Sequence, residues 1–107
     1  MEIKQYDIVL VNCDPIPGGD IKRTRRCLII SPDEMNRHLR TVVIAPLTAG
    51  SKNYPTRIEI KYDKKTIWAA FDQVKTIDRQ RIIKGLGRLS KPEIKETKAI
   101  LKEIYID

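Results

Sequence analysis

Soft metal ligands are nearly missing from this chain: its 107 residues include two cysteines and one histidine. Neither Cys13 nor Cys27 belongs to a CxxC pair, so no zinc site, and with it no metal or other cofactor, can be read from the spacing. Nor do two cysteines make a disulfide framework. Both sit in apolar runs, "IVLVNC" and "CLII", where a free thiol behaves as a small buried hydrophobe. A single histidine excludes an acid-base nuclease built on a histidine pair, and His38, in "NRHLR", has no readable nucleophile beside it. The acidic residues are scattered, as in Asp33-Glu34, Glu59, Asp72 and Asp78. Two-metal phosphodiester chemistry wants clustered carboxylates and finds no readable site among them. No apolar run approaches the length of a membrane span, and the N-terminus lacks a basic segment leading into a long apolar one, so a cytoplasmic protein without membrane contact is expected.

Positive charge is what the chain has in excess. Lys and Arg number 21 against 14 Asp and Glu, a formal +7. That balance favours a polyanionic partner, either nucleic acid or an acidic protein tail. With 41% hydrophobic residues the chain can bury a core, and its length suits one domain spanning residues 1–107. The charge concentrates in "GGDIKRTRRCLIISPDEMNR", where Lys22, Arg23, Arg25 and Arg26 stand directly before an apolar run. Like charges gain nothing by crowding in water, so the cluster implies an anion.

Patterning predicts a mainly β fold. "DIVLVNC" reads as a first strand, followed by the turn-rich "DPIPGGD". "CLIIS" reads as a second strand, placing Arg25 at the end of the preceding loop, and "SPDEMNRHL" as a short helix capped by Ser31. "TVVIAPL" is a third strand, "TAGSKNYP" an exposed loop, and "TRIEI" with "TIWAAF" a hairpin turning at "KYDKK". Gly85 and Gly87 in "IIKGLGRLS" predict a bulge or a close backbone approach. Ser90 and Glu93 have capping-box spacing, and Ile94, Thr97, Leu101 and Ile104 share one face of a terminal amphipathic helix. The whole predicts a small β-barrel with a short internal helix and a C-terminal helix.

One chemistry needs only fixed positive charge and a hydrogen-bond donor, because RNA carries its own nucleophile. Attack by a 2′-hydroxyl on the adjacent phosphate builds charge on non-bridging oxygens, which a guanidinium and a hydroxyl can stabilise. Arg25 and Thr48 suit those roles if the fold brings them together; Thr48 could equally be a turn hydroxyl.

At these residues the order "DIVLVNCDP", "TR", "ISPDEMN", "VVIAPLT", "YPTRIEI", "DQVKTID" resembles the MazF/PemK family of toxin endoribonucleases over nearly the whole chain. The resemblance implies an SH3-like barrel assembled as a homodimer and metal-independent cleavage of single-stranded RNA, leaving a 2′,3′-cyclic phosphate and a 5′-hydroxyl. It also implies a cognate antitoxin with an acidic, flexible tail. The family's catalytic arginine falls on Arg25 and its threonine on Thr48. Its acidic loop residue falls on Asp20, and Arg26 stands where the family has proline. Lys22, Arg23 and Arg26 are expected to hold the flanking RNA backbone. Tyr54, beside Lys52, is a candidate base-stacking residue, and Asn36 is a candidate base contact from the short helix. Trp68 reads as core or dimer contact, Asp72 and Gln73 as ties to loop backbone. Two other functions fit the same barrel: a non-enzymatic toxin that binds DNA gyrase, needing neither Arg25 nor Thr48, and an RNA-binding barrel whose activity is weakened by Arg26.

Overall fold

A computed structural model describes residues 2–13, 23–49 and 56–105. Seven antiparallel strands curl into a half-barrel: β1 (Asp7–Asn12), β2 (Thr24–Ile29), β3 (Thr41–Thr48), β4 (Arg57–Tyr62), β5 (Lys65–Ala70), β6 (Lys75–Asp78) and β7 (Ile82–Arg88). Helix α1 (Asp33–His38) links β2 to β3, and α2 (Lys91–Tyr105) ends the described chain. The strands run in the order β4-β5-β3-β2-β1-β7, with β6 also paired to β3. The mainly β barrel with two helices that patterning predicts is the architecture found. No described helix is long and apolar enough to cross a membrane.

Both faces of the sheet are buried, which is why β1 reads as a nearly continuous apolar run rather than an alternation. Ile8 of β1 joins Leu28, Ile60, Ile67 and Phe71 in one core. Its neighbours Val9 and Val11 join Cys27, Ile29, Val42 and Ile77 in a second core on the other face. Helix α2 closes the first core with Ile94, Ile100, Leu101 and Ile104, and Thr97 is fully buried beneath it. The capping box forms as its spacing predicts. Glu93 N–H donates to Ser90 Oγ at 3.3 Å, and Ser90 N–H donates to Glu93 Oε1 at 2.9 Å.

Local rules explain most of the element ends. Asp63 and Lys64 both take positive φ, 51° and 62°, the two left-handed residues of a tight hairpin turn between β4 and β5. The predicted bulge is present: β1 residues Ile8 and Val9 face Gly87 and Gly85, leaving Leu86 as the extra residue of β7. Ser31 departs from its expected role. Pro32 occupies the N-cap of α1 with no side-chain cap, because Ser31 Oγ instead accepts from Val43 N–H at 3.1 Å and donates to Asn36 at 2.6 Å.

Strand β3 decides the geometry of the site. One of its edges pairs with β2 from Ile44 to Pro46. The other edge is shared, with β6 along Thr41–Ile44 and β5 at Leu47 and Thr48. Its end therefore leaves β2 and turns to the β4–β5 hairpin, and the sheet splits there.

Candidate active site

The split lies between the starts of β2 and β6 and the ends of β1 and β3. β2 begins at Thr24, three residues before its predicted start, so Arg25 and Arg26 are strand residues and not loop residues. The β1–β2 ladder accounts for the extension. Val11 pairs with Arg25 and Asn12 with Thr24, and Cys13 N–H donates to Arg23 C=O at 2.7 Å.

Strand alternation separates the cationic cluster into two faces. Arg25 is exposed and shares its face with Arg23, and with Thr24, Cys13 and Lys75 they line an open depression of about 560 Å³. Lys75 arrives from β6, where it pairs with Ile44. Three cations from two distant chain segments thus meet at one concavity. Lys75 was not singled out from the sequence. Its alternation with Ile77 is visible in "DQVKTID", but the neighbour it would face depends on the pairing of β6 with β3.

Arg26 corrects an expectation. It points to the opposite face, pairs with Leu10, and lays its guanidinium 5.5 Å from the centre of the Tyr62 ring. Alternation directs it away from the depression that Arg25 lines. Asn36 is corrected too. It is 1% exposed, its side-chain amide donates to Ser31 C=O at 2.9 Å, its Oδ1 accepts from Ser31 Oγ at 2.6 Å, and its backbone carbonyl accepts from Arg79 at 2.7 Å. The buried side chain ties α1 to Ser31, whose hydroxyl in turn accepts from Val43 of β3. Asp20 and Lys22, in the first long loop, and Lys52 and Tyr54, in the second, lie outside the described residues.

Thr48 is the last residue of β3. The β2–β3 register pairs Cys27 with Pro46, and two residues further along each strand stand Arg25 and Thr48. Alternation therefore projects both side chains from one face of the sheet, while Thr48 itself pairs with Trp68 of β5. Thr48 Oγ1 is buried and has no hydrogen-bond partner among the described residues. A hydroxyl left so costs about 1–3 kcal/mol.

The remaining candidates have structural roles. Asp72 accepts from the Thr56 hydroxyl at 3.3 Å and from Arg57 Nε at 3.5 Å, so it ties side chains rather than loop backbone. His38 is exposed, 3.5 Å from Glu34 on the same helix. Cys27 is buried, and burial, with Cys13 nearby, pushes its thiol up to about 11; it is no nucleophile near neutral pH.

A sequence profile described as "PemK-like, MazF-like toxin of type II toxin-antitoxin system" matches residues 4–105. The chain belongs to this toxin family. An Endoribonuclease MazF of Staphylococcus epidermidis is 30% identical over 101 residues, covering 88% of this chain and 83% of that protein. Among solved structures, MazF from Deinococcus radiodurans superposes with a TM-score of 0.80 over 100% of this chain and 99% of its own, at 19% identity. An endoribonuclease in complex with its cognate antitoxin, from a mycobacterial species, gives 0.78 over 94% and 92%, also at 19%. At those identities the superpositions speak for the fold alone, and they place the half-barrel and its terminal helix in the MazF type.

Proposed function

We propose that this chain, an endoribonuclease of the MazF/PemK toxin family, cuts single-stranded RNA at a short sequence with Arg25 and Thr48 at the scissile phosphate. The observation that carries this reading is the depression lined by Arg23, Arg25 and Lys75 at the start of β2; strand alternation, which projects Thr48 from the same sheet face as Arg25, supports it. The RNA 2′-oxygen attacks its neighbouring phosphorus and loses its proton to water. The bond from phosphorus to the 5′-oxygen then breaks, and that oxygen takes up a proton. The products are a 2′,3′-cyclic phosphate and a 5′-hydroxyl. Charge grows on the non-bridging oxygens, where the Arg25 guanidinium offers a planar pair of donors and the Thr48 hydroxyl a third. With a pKa above about 12, arginine serves as a fixed cation rather than a base. Arg23 and Lys75 hold the flanking phosphates. No step requires a metal ion.

The same cations suit the acidic tail of a cognate antitoxin, which would compete with RNA for the depression. Two solved relatives of similar fold are complexes of toxin and antitoxin. Homodimeric assembly and a cytoplasmic location belong to this reading as well.

The test is incubation of the protein and its Arg25→Ala variant with a long single-stranded RNA in EDTA, followed by primer extension across the new ends. Cuts at one recurrent sequence that fall at least a hundredfold in the variant are expected. Equal cutting by the variant removes Arg25 from the site. No cutting by either protein turns the reading toward a gyrase binder.

A further inference from the structure

The outer face of the β4–β5 hairpin carries a second concavity, which the cleavage chemistry leaves unused. Pairing sets Thr48, Trp68 and Glu59 side by side on β3, β5 and β4, and residues opposed in antiparallel neighbours project from the same face. Trp68 is half-buried. With Glu59 and Arg57, and with Glu96, Ala99 and Ile100 of α2, it lines a groove of about 470 Å³, in the size range of small-ligand sites.

Charge distinguishes the two concavities. The one beside Arg25 presents three cations, whereas the walls of the groove carry two carboxylates, Glu59 and Glu96, and one cation, Arg57, which is paired with Asp72 at 3.5 Å. A phosphate chain or an acidic peptide is drawn to the first far more than to the second. What the groove can take from RNA is a base, through an indole face for stacking and a carboxylate that accepts N–H groups from the base edge. Glu59 is half-exposed, and Lys61 lies 2.9 Å from its Oε1, a surface ion pair that opens at little cost.

We propose that this groove is the pocket for the base next to the cleaved bond, with Trp68 stacking on that base and Glu59 favouring bases that carry an amino group over uracil. Uracil's one edge donor, N3–H, is flanked by two carbonyl oxygens that repel a carboxylate, while adenine, cytosine and guanine each offer an exocyclic N–H. Trp68 is the cross-strand neighbour of Thr48, so a nucleotide whose phosphate meets Thr48 has its base within reach of the indole. The assignment rests on the endoribonuclease reading of the adjoining site.

Trp68 is the single tryptophan of the chain, and its fluorescence reports this groove alone. The protein is titrated with fluorescently labelled nonamers of A, C or U carrying 2′-O-methyl groups, which block the nucleophile. Label anisotropy follows binding and tryptophan emission follows stacking. The A and C oligomers should quench Trp68 at saturation and the U oligomer much less, and Glu59→Gln should erase the preference of C over U. Trp68→Ala should weaken binding about tenfold, Trp68→Phe should restore most of it, and cleavage maps of Trp68→Ala should lose base preference at one position beside the cut. A rise in anisotropy with unchanged Trp68 emission, or an unchanged cleavage map, overturns the pocket and leaves the endoribonuclease reading intact. Quenching by a protein that cuts no RNA fails the endoribonuclease reading and upholds base binding. Quenching by poly-glutamate as strong as by RNA overturns the assignment and gives the groove to an acidic tail.

Discussion

A hydroxyl buried without a partner lowers stability and is kept only where something else needs it. Thr48 holds such a group at the end of β3. Thr48→Val preserves shape and removes the unmet oxygen, so it should stabilise the fold by about 1 kcal/mol in urea titration while lowering RNA cleavage at least tenfold. Loss of stability together with activity would make Thr48 a packing residue. Arg26 poses the complementary case. Cys13 N–H donates to Arg23 C=O, and alternation then directs the N–H groups of Arg25 and Cys27, and not that of Arg26, toward β1. Pairing with β3 begins only at Cys27. A proline at position 26 thus costs no bond to β1, and the loss is the stack on Tyr62, worth about 0.5–1 kcal/mol. Arg26→Pro should fold and, by stiffening the start of β2, raise cleavage severalfold in the RNA assay. An equal or lower rate would show that the arginine does not limit activity. Nothing in the string "TRRC" says which of its arginines faces the depression; that depends on the β1 register.

At the scale of elements, the terminal helix was the most legible part. Its capping box and its apolar face are local properties, and they form as patterned. Glu93 does more than its local role predicts. One carboxylate oxygen closes the capping box, and the other accepts from Lys61 N–H of β4 at 2.9 Å. Ser90→Ala should therefore cost about 1 kcal/mol, the usual worth of a cap. Glu93→Ala should cost more, since it also strips a backbone donor on β4 of its partner. Thermal melts of the two variants decide this, and equal losses would reduce Glu93 to a cap. The second strand was less legible. Its first residues, Thr24 to Arg26, are polar and charged and lack the apolar signature of a strand, yet the ladder to β1 carries them into the sheet.

For the whole molecule, the excess of positive charge is given form by the fold. Arg23, Arg25 and Lys75 converge on one depression, while the groove beside α2 carries carboxylates. If three phosphates are held there, the logarithm of RNA affinity should fall with the logarithm of salt concentration at a slope near −2, taking about 0.7 per contact for a single strand. Removing Lys75, as Lys75→Ala, should flatten that slope by about 0.7. Fluorescence anisotropy across a salt series measures both. A slope near zero would rule out phosphate binding at this depression.

The sequence by itself determined what depends on near neighbours and on composition. The apolar runs that become strands, the helix face of Ile94, Leu101 and Ile104, the cap at Ser90 and the sign of the partner's charge all follow from residue chemistry within a few positions. Tertiary structure decided what depends on pairing between distant strands. Strand pairing turns the end of β3 from β2 to β5, brings Lys75 to the depression that Arg25 lines, and sends Arg26 to the other face. Side chains alternate along a strand, so a shift of one residue in register would exchange these roles. The register is fixed by the burial of both sheet faces, a property of the assembled cores rather than of any one segment.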